Sequence, residues 1–170
     1  MVDDMQTLTP ETKDPRQLER IDRAVGRKSF AVLSTVSEAA FPHAAGVMYA
    51  SVGRTLYVHT MSSSRKARNV AANPNVGIVV PVRRLPVGPP FSVQFQANAS
   101  IVAMDDPEIT SLVGHGELKK ITSHGELDEP AGCFIRIQPT GRIHTYGIGV
   151  SVIDVARDPL HAGARSVDLR

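Results

Sequence analysis

Apolar and polar residues alternate with a period of two along most of the central chain, which is the spacing of strands with one buried face. The segment 91–104 shows this best, with Phe91, Val93 and Phe95 opposed to Ser92, Gln94 and Gln96. The same pattern, bounded by turn residues, predicts further strands over 29–36, 42–50, 55–60, 75–82, 131–139 and 141–155. Short connections between the first three of these predict an antiparallel meander. Six or seven antiparallel strands with few helices favour a small, mainly β barrel.

Helical spacing is confined to a few short segments. Pro15 at a first helical position, followed by apolar residues three and four apart, predicts a helix over 15–26. A second helix is predicted to follow the serines at 62–64 and to end before Asn73. A third is predicted over 105–120, where two aspartates and a proline provide a typical helix start.

The chain of 170 residues has the length of one domain with a sizeable core. The pattern of apolar and polar residues divides the chain into three parts. Residues 1–13 are interpreted as a flexible N-terminal arm, 14–155 as the folded domain, and 156–170 as a polar C-terminal tail.

Composition excludes several classes of function. The formal net charge of +2 and the aromatic content of 5% argue against binding nucleic acid. Apolar runs are too short to cross a membrane, and the first residues lack the pattern of a signal peptide. Cys133 is the only cysteine, so no disulfide forms within the chain. We therefore expect a cytoplasmic protein.

Side chains that could perform acid–base or metal chemistry show no recognisable arrangement. The six histidines lack the spacing of metal ligands, and no nucleophile motif is present. No catalytic residue and no metal site are therefore assigned.

One segment carries a candidate binding function. Thr60 ends a predicted strand, and Ser64, Arg65 and Lys66 begin the helix that follows. The first turn of a helix leaves N–H groups unpaired, and these groups favour an anion. Arginine binds two phosphate oxygens at once, and lysine adds a second charge. The alternative is a solvated basic helix start with no ligand.

The order of these segments resembles the pyridoxamine 5′-phosphate oxidase-like, FMN-binding split-barrel superfamily, including its flavin and deazaflavin oxidoreductase relatives. The resemblance covers about residues 28–104. Its most specific part is Thr60, an Arg65-Lys66 pair five residues later, and Asn73-Pro74 before a strand. It implies a six- or seven-stranded antiparallel split β-barrel.

The resemblance also implies which residues hold the cofactor. Arg65 and Lys66 would bind the phosphate of FMN, with Thr60 and Ser64 alongside. The strand at 42–50 would lie against the isoalloxazine ring, and His59 is a candidate for lining the pocket, with a structural histidine as the alternative. Ser92 stands where related oxidases carry a flavin-binding glutamine, and Gln94 and Gln96 on the same face are the alternatives for that role. The cofactor-binding residues implied are Gly46, Val47, Met48, His59, Thr60, Ser64, Arg65, Lys66, Ser92 and Gln94.

The implied function is that of an FMN-dependent oxidoreductase, a homodimer with its cofactor at the subunit interface. Ala44 and Tyr49 stand where vitamin oxidases carry an arginine and a substrate-binding lysine. We therefore expect a substrate other than pyridoxamine phosphate, with Tyr49 stacking on it in the substrate pocket. Two alternatives remain open: a reductase that uses the 8-hydroxy-5-deazaflavin coenzyme F-420, and a non-enzymatic flavin- or haem-binding module.

Overall fold

The structure, a computed structural model, describes residues 15–83, 91–158 and 161–169. The expected N-terminal arm and most of the loop after β5 lie outside this part. The helices are α1 (Pro15–Arg27), α2 (Arg65–Ala72), α3 (Pro107–Gly114) and α4 (Val152–Arg157). The strands are β1 (Phe30–Val36), β2 (Pro42–Met48), β3 (Ala50–Val52), β4 (Thr55–Met61), β5 (Asn75–Val82), β6 (Phe91–Ala103), β7 (Gly132–Tyr146) and β8 (Ala164–Asp168). Two short 3₁₀ turns, Lys119–Ile121 and Glu126–Asp128, follow α3.

The strands form one antiparallel sheet that curls into a half-barrel. Its order is β2-β1-β5-β6-β7-β4-β3, and β8 pairs with the second half of β7. The predicted mainly β antiparallel split barrel is thereby confirmed. The sheet has eight strands rather than six or seven, because the predicted strand at 42–50 is broken at Tyr49 and the C-terminal segment adds β8.

A single residue joins the two ends of this sheet. β2 and β3 stand at opposite ends of the strand order, yet only Tyr49 separates them along the chain. Its ring is fully buried in the barrel core, and its hydroxyl donates a hydrogen bond to the Val25 carbonyl of α1 at 2.7 Å. The connection draws the sheet edges together, so the expected meander is two hairpins, β1–β2 and β3–β4, joined at this residue.

Two apolar clusters hold the fold. The larger one fills the barrel and includes residues from β1, β2, β5, β6, β7 and α1. The smaller one lies on the outer side of β3 and β4, where Tyr57 and Phe134 pack beneath Ile109 of α3. The Tyr57 hydroxyl donates to Glu108, whose other oxygen accepts from Arg136 at 2.7 Å. The α3 region therefore covers the outer face of β3, β4 and the first half of β7.

The C-terminal third differs from its predicted form. One continuous 15-residue strand, β7, spans nearly all of the predicted strand 131–139 and the first part of the predicted strand 141–155. Val152–Arg157 is helical rather than extended, because the Ser151 hydroxyl accepts from the Ile153 N–H at 3.2 Å and caps α4. The predicted third helix ends at Gly114. Part of the segment interpreted as a tail, Ala164–Asp168, lies in the sheet as β8.

Gly147, at the end of β7, provides a test of this packing. Its φ is +75°, and a Cβ added there would lie 2.0 Å from the buried ring of Phe91. We expect Gly147→Ala to lower the free energy of unfolding by about 2–5 kcal/mol, from backbone strain and overpacking together. Urea unfolding followed by circular dichroism measures this change.

Gly114→Ala is the matched control for that substitution. Gly114 ends α3, and an added Cβ meets nothing within 4 Å. Equal stabilities of the two variants would contradict the packing described around Phe91.

Candidate functional site

The corner where β4 leads into α2 is held by hydrogen bonds between residues close together in sequence. Thr60 is buried, and its hydroxyl donates to the Ser64 hydroxyl at 3.2 Å. Ser64 has an extended backbone, and its Oγ accepts from the Ala67 N–H at 3.3 Å. Ser64 is therefore the N-cap of α2, as the sequence predicts, and it fixes the direction in which the helix begins.

The opposite side of α2 anchors this corner to the barrel. Asn69 is buried and donates from Nδ2 to the Thr35 hydroxyl of β1 at 2.9 Å, while Val70 packs in the main core. Arg68 donates to the Ser63 carbonyl at 2.7 Å and thereby orders the serine turn. The first turn of α2 is thus held in place without the help of Arg65 or Lys66.

Arg65 and Lys66 remain available to a ligand. Arg65 is exposed and Lys66 is half-buried, and in the part of the chain that the structure describes neither makes an ion pair. Their backbone N–H groups lie in the first helical turn, which has no earlier carbonyl to bond. Two cations, unpaired amides and the positive end of the helix dipole together suit a phosphate group.

A gap in the barrel runs toward this corner. β3 pairs only with Thr55–Tyr57, so the rest of β4 has an unpaired edge, and β2 pairs only with β1. β2 approaches β4 across the gap without pairing with it. The predicted ring-binding strand β2 therefore lies near β4, the strand that leads into the predicted phosphate-binding corner.

The third predicted group, Ser92 and Gln94, lies elsewhere on the same sheet face. Gly46 pairs with Val32, Val32 with Val79, and Val79 with Gln94, so all four side-chain positions share the outer face. Three strand spacings separate Gly46 from Gln94, or about 14 Å. Gln94 donates to Ser92 at 3.0 Å. Within one chain these residues therefore lie apart from Gly46, the residue of β2 that is predicted to contact the flavin ring.

Gln94 instead borders an open cleft of about 600 Å³ on the outer face of β1, β5, β6 and β7. Ser34, Gly77, Arg142 and His144 also line it. Sequence reasoning did not include these four residues in a site. The sequence does indicate that two of them lie together, because Arg142 and His144 are two residues apart on one strand and therefore share a face.

The outer face also carries exposed apolar side chains. Phe30 is 46% exposed and Met48 is 52% exposed, and their strands pair them directly. The Phe30 ring lies across Gly46, where an added Cβ would come within 3.0 Å of it. The missing side chain at Gly46 therefore makes room for Phe30, a reason that the sequence did not reveal. Val47, by contrast, faces the core with its side chain, and its backbone groups face β1.

His59 packs against an aromatic side chain. Its ring meets Phe134 edge-to-face at 5.3 Å, and its Nε2 is buried with no hydrogen-bond partner among the described residues. Burial lowers the pKa of His59 below its usual value, although Glu126 and Glu129 oppose this effect. A purely structural histidine would have its buried ring nitrogen hydrogen-bonded, so the role of His59 in lining the cofactor pocket stays a prediction.

Tyr49 does not lie where the sequence suggested. The expected substrate-pocket residue is in the barrel core, and burial raises the pKa of its hydroxyl. Because the hydroxyl is bonded to Val25, the ring cannot stack on a ligand without unpacking α1. The error arose because alternation along 42–50 does not reveal the break at this residue.

The histidine, cysteine and acidic side chains of the described part form no recognisable metal or nucleophile site. Among residues 15–83, 91–158 and 161–169, no group of three or more histidine, cysteine or acidic side chains could hold a metal ion. Cys133 is buried, and burial raises the pKa of its thiol, so it is a poor nucleophile. No helix of the described part is both long and apolar enough to cross a bilayer.

Comparisons with solved structures show the same fold. The haem storage protein HutZ from Vibrio cholerae is 19% identical, with a TM-score of 0.66 over 81% of this chain and 98% of that one. An FAD-binding protein from Mesorhizobium loti is 19% identical, with a TM-score of 0.60 over 72% and 87% of the two chains. An F420 reductase is 20% identical, with a TM-score of 0.51 over 72% and 94%.

A search of curated proteins gave no match. The sequence profile of the family described as pyridoxamine 5′-phosphate oxidase matches residues 18–141, which include the barrel strands β1–β6, the corner at α2 and most of β7. The chain therefore belongs to the pyridoxamine 5′-phosphate oxidase family.

Proposed function

We propose that this protein is an oxidoreductase that binds FMN, with the phosphate at the corner between β4 and α2. The observation that carries the proposal is the pair of cations, Arg65 and Lys66, without carboxylate partners at a capped helix start. In this role Arg65 grips two phosphate oxygens and Lys66 adds charge, while Thr60 and Ser64 hold the turn in position. The ring occupies the gap between β2 and β4.

Flavin supplies the hydride chemistry when it is bound, and the chain supplies position and electrostatics. The unpaired edge of β2 offers backbone N–H and C=O groups of Gly46 and Met48 to the polar edge of the ring, whereas those of Val47 face β1. Exposed Met48 and Phe30 offer apolar contact to one side of it. None of these residues needs to gain or lose a proton, which agrees with the lack of an assigned catalytic acid or base.

The proposal includes a homodimer formed through the outer face of β2, β1, β5 and β6. Phe30 and Met48 leave large apolar surfaces exposed there, and α3 covers only the opposite part of the sheet. Ser92 and Gln94 lie about 14 Å from Gly46 in the same chain. A partner copy across this face brings its own Ser92 and Gln94 toward the cofactor and completes the site.

Pyridoxamine phosphate is not the proposed substrate. Ala44 is exposed and carries no charge, and Tyr49 is buried, so neither supplies a cation for the phosphate of that vitamin. Desolvating a dianion without such partners is costly. The proposed substrate is a small, weakly charged molecule that lies against the flavin.

Two other cofactors define the rival functions. Similarity to an F420 reductase supports the deazaflavin coenzyme, whose phosphate fits the same corner. Similarity to a haem storage protein supports a non-enzymatic haem-binding module. Separate titrations of the purified protein with FMN, with F-420 and with haem distinguish the three, and preference for haem would contradict the proposal.

Removing the two cations at the corner tests the phosphate site. We expect Arg65→Gln/Lys66→Gln to weaken FMN binding tenfold to a thousandfold, because charged hydrogen bonds contribute about 1.5–3 kcal/mol each and this corner is partly solvated. Quenching of FMN fluorescence on binding gives the dissociation constant. The fold should persist, since neither side chain makes a hydrogen bond or an ion pair in the described part of the chain.

Arg157→Gln is the control, because Arg157 is exposed and lies on α4 rather than at the corner. It should bind FMN within a few-fold of the parent. Unchanged binding by the double variant would exclude the corner as the phosphate site.

Charged substitutions on the outer face test the dimer. We expect the parent to sediment as a dimer at micromolar concentration, and Phe30→Glu/Met48→Glu to sediment as a monomer, because carboxylates would be buried unpaired in the interface. Analytical ultracentrifugation measures both masses. FMN affinity should fall together with dimerisation, because the partner completes the site.

Ile153→Glu on α4 is the control for that pair of substitutions, since Ile153 is 63% exposed and lies outside the proposed interface. It should remain dimeric. A monomeric parent protein, or a dimer that survives the double substitution, would overturn the proposed interface.

A further inference from the structure

A second cationic surface lies where α1 meets the end of β5. Arg20, Arg23 and Arg27 follow one another at spacings of three and four, so they share one face of α1. Lys28 follows the helix, and Arg83 follows β5. These five side chains, with Ala24, Val82 and Ile148, line an open cleft of about 380 Å³, here called the basic cleft.

Few carboxylates balance this charge. Glu19 pairs with Arg23 at 3.0 Å, and Asp22 is held by Arg54 on the other side of α1. Arg20, Arg27, Lys28 and Arg83 have no ion pair within the described residues. The whole chain carries a net charge of only +2, so the basic cleft is a local concentration of charge.

General helix stability does not account for the cluster. A cation in the last turn complements the helix dipole, and this explains Arg27 alone. Arg20 lies in the middle of α1, and Arg83 comes from a different element. Like charges at these helical spacings destabilise a helix when nothing neutralises them. The arrangement thus carries a cost that a bound anion would remove.

We propose that the basic cleft binds a small polyphosphate, a chain of two or three phosphates either free or attached to a nucleoside. Guanidinium groups bind phosphate oxygens in pairs, and the long side chains of arginines on successive helical turns converge on one phosphate chain. Arg20 lies close to the backbone of Gly149, where an added Cβ would come within 2.8 Å of Nη1. Single phosphates engage fewer of these side chains at once and bind more weakly.

The basic cleft is separate from the corner at α2. α2 is tied to Thr35 near the end of β1, whereas Lys28 precedes the start of that strand. The seven residues of β1 place the two sites roughly 20 Å apart along the barrel. The inference therefore does not depend on the proposed flavin site.

Two variants that each remove two positive charges test the assignment by calorimetric titration with tripolyphosphate at low salt. Arg65→Gln/Lys66→Gln removes charge from the corner at α2, and Arg20→Gln/Arg27→Gln removes it from the basic cleft. We expect the first variant to bind tripolyphosphate with a dissociation constant below 1 mM. In that first variant background, adding the second pair of substitutions should weaken binding at least tenfold.

Two further titrations define the ligand. Inorganic phosphate should bind at least tenfold more weakly than tripolyphosphate, and equal affinities would overturn the polyphosphate assignment. ATP distinguishes the two sources: tighter binding than tripolyphosphate means that the nucleoside contributes, and equal binding means that the phosphate chain alone is recognised. Both results support the site.

The proposal fails if the first variant does not bind tripolyphosphate, or if the substitutions in the basic cleft leave binding unchanged. Circular dichroism checks that each variant is folded. Lys28→Gln/Arg83→Gln replaces Arg20→Gln/Arg27→Gln if the latter loses its native spectrum, and it carries the same expectation.

Discussion

The architecture depends on one buried residue that joins the two ends of a curled sheet. Tyr49 is the entire connection between β2 and β3, and its hydroxyl is bonded to α1. Because the connection is so short, the edges of the sheet must approach each other. Because β3 is only three residues long, however, the edges cannot pair along their length. The gap between β2 and β4, which leads to the corner at α2, is the direct result of these two facts.

Local sequence patterns determine most of the first two-thirds of the fold. α1, α2, β1, β4, β5 and β6 begin and end within about one residue of their predicted positions, since alternation and capping residues act over short distances. β7 was harder to predict because Pro139 and Gly141 resemble a turn. Pro139 instead pairs with Ala97, where the register of β6 shifts, and its missing N–H falls at that irregularity. Whether a strand can contain a proline thus depends on its partner strand, and the sequence around the proline does not reveal this.

The candidate site shows the same division between local and distant information. The capped helix start, with Ser64 before Arg65 and Lys66, could be predicted because these residues are adjacent in the sequence. The burial of Tyr49 and the position of Phe30 across Gly46 depend on residues far away in sequence. The basic cleft is an intermediate case. The spacing of Arg20, Arg23 and Arg27 is a property of the sequence, whereas the contribution of Arg83 follows only from the position of β5 relative to α1.

β7 lies between β6 and β4, and it also carries β8, so three strands depend on it. This order has a consequence for synthesis from the N-terminus. By the time that residue 103 has left the ribosome, six strands exist, but β4 and β6 still present bare edges toward the missing neighbour. Barrel assembly therefore waits for Gly132–Tyr146 to emerge. Until then the nascent chain holds two incomplete half-sheets, which is the interval in which pairing with another chain competes with folding.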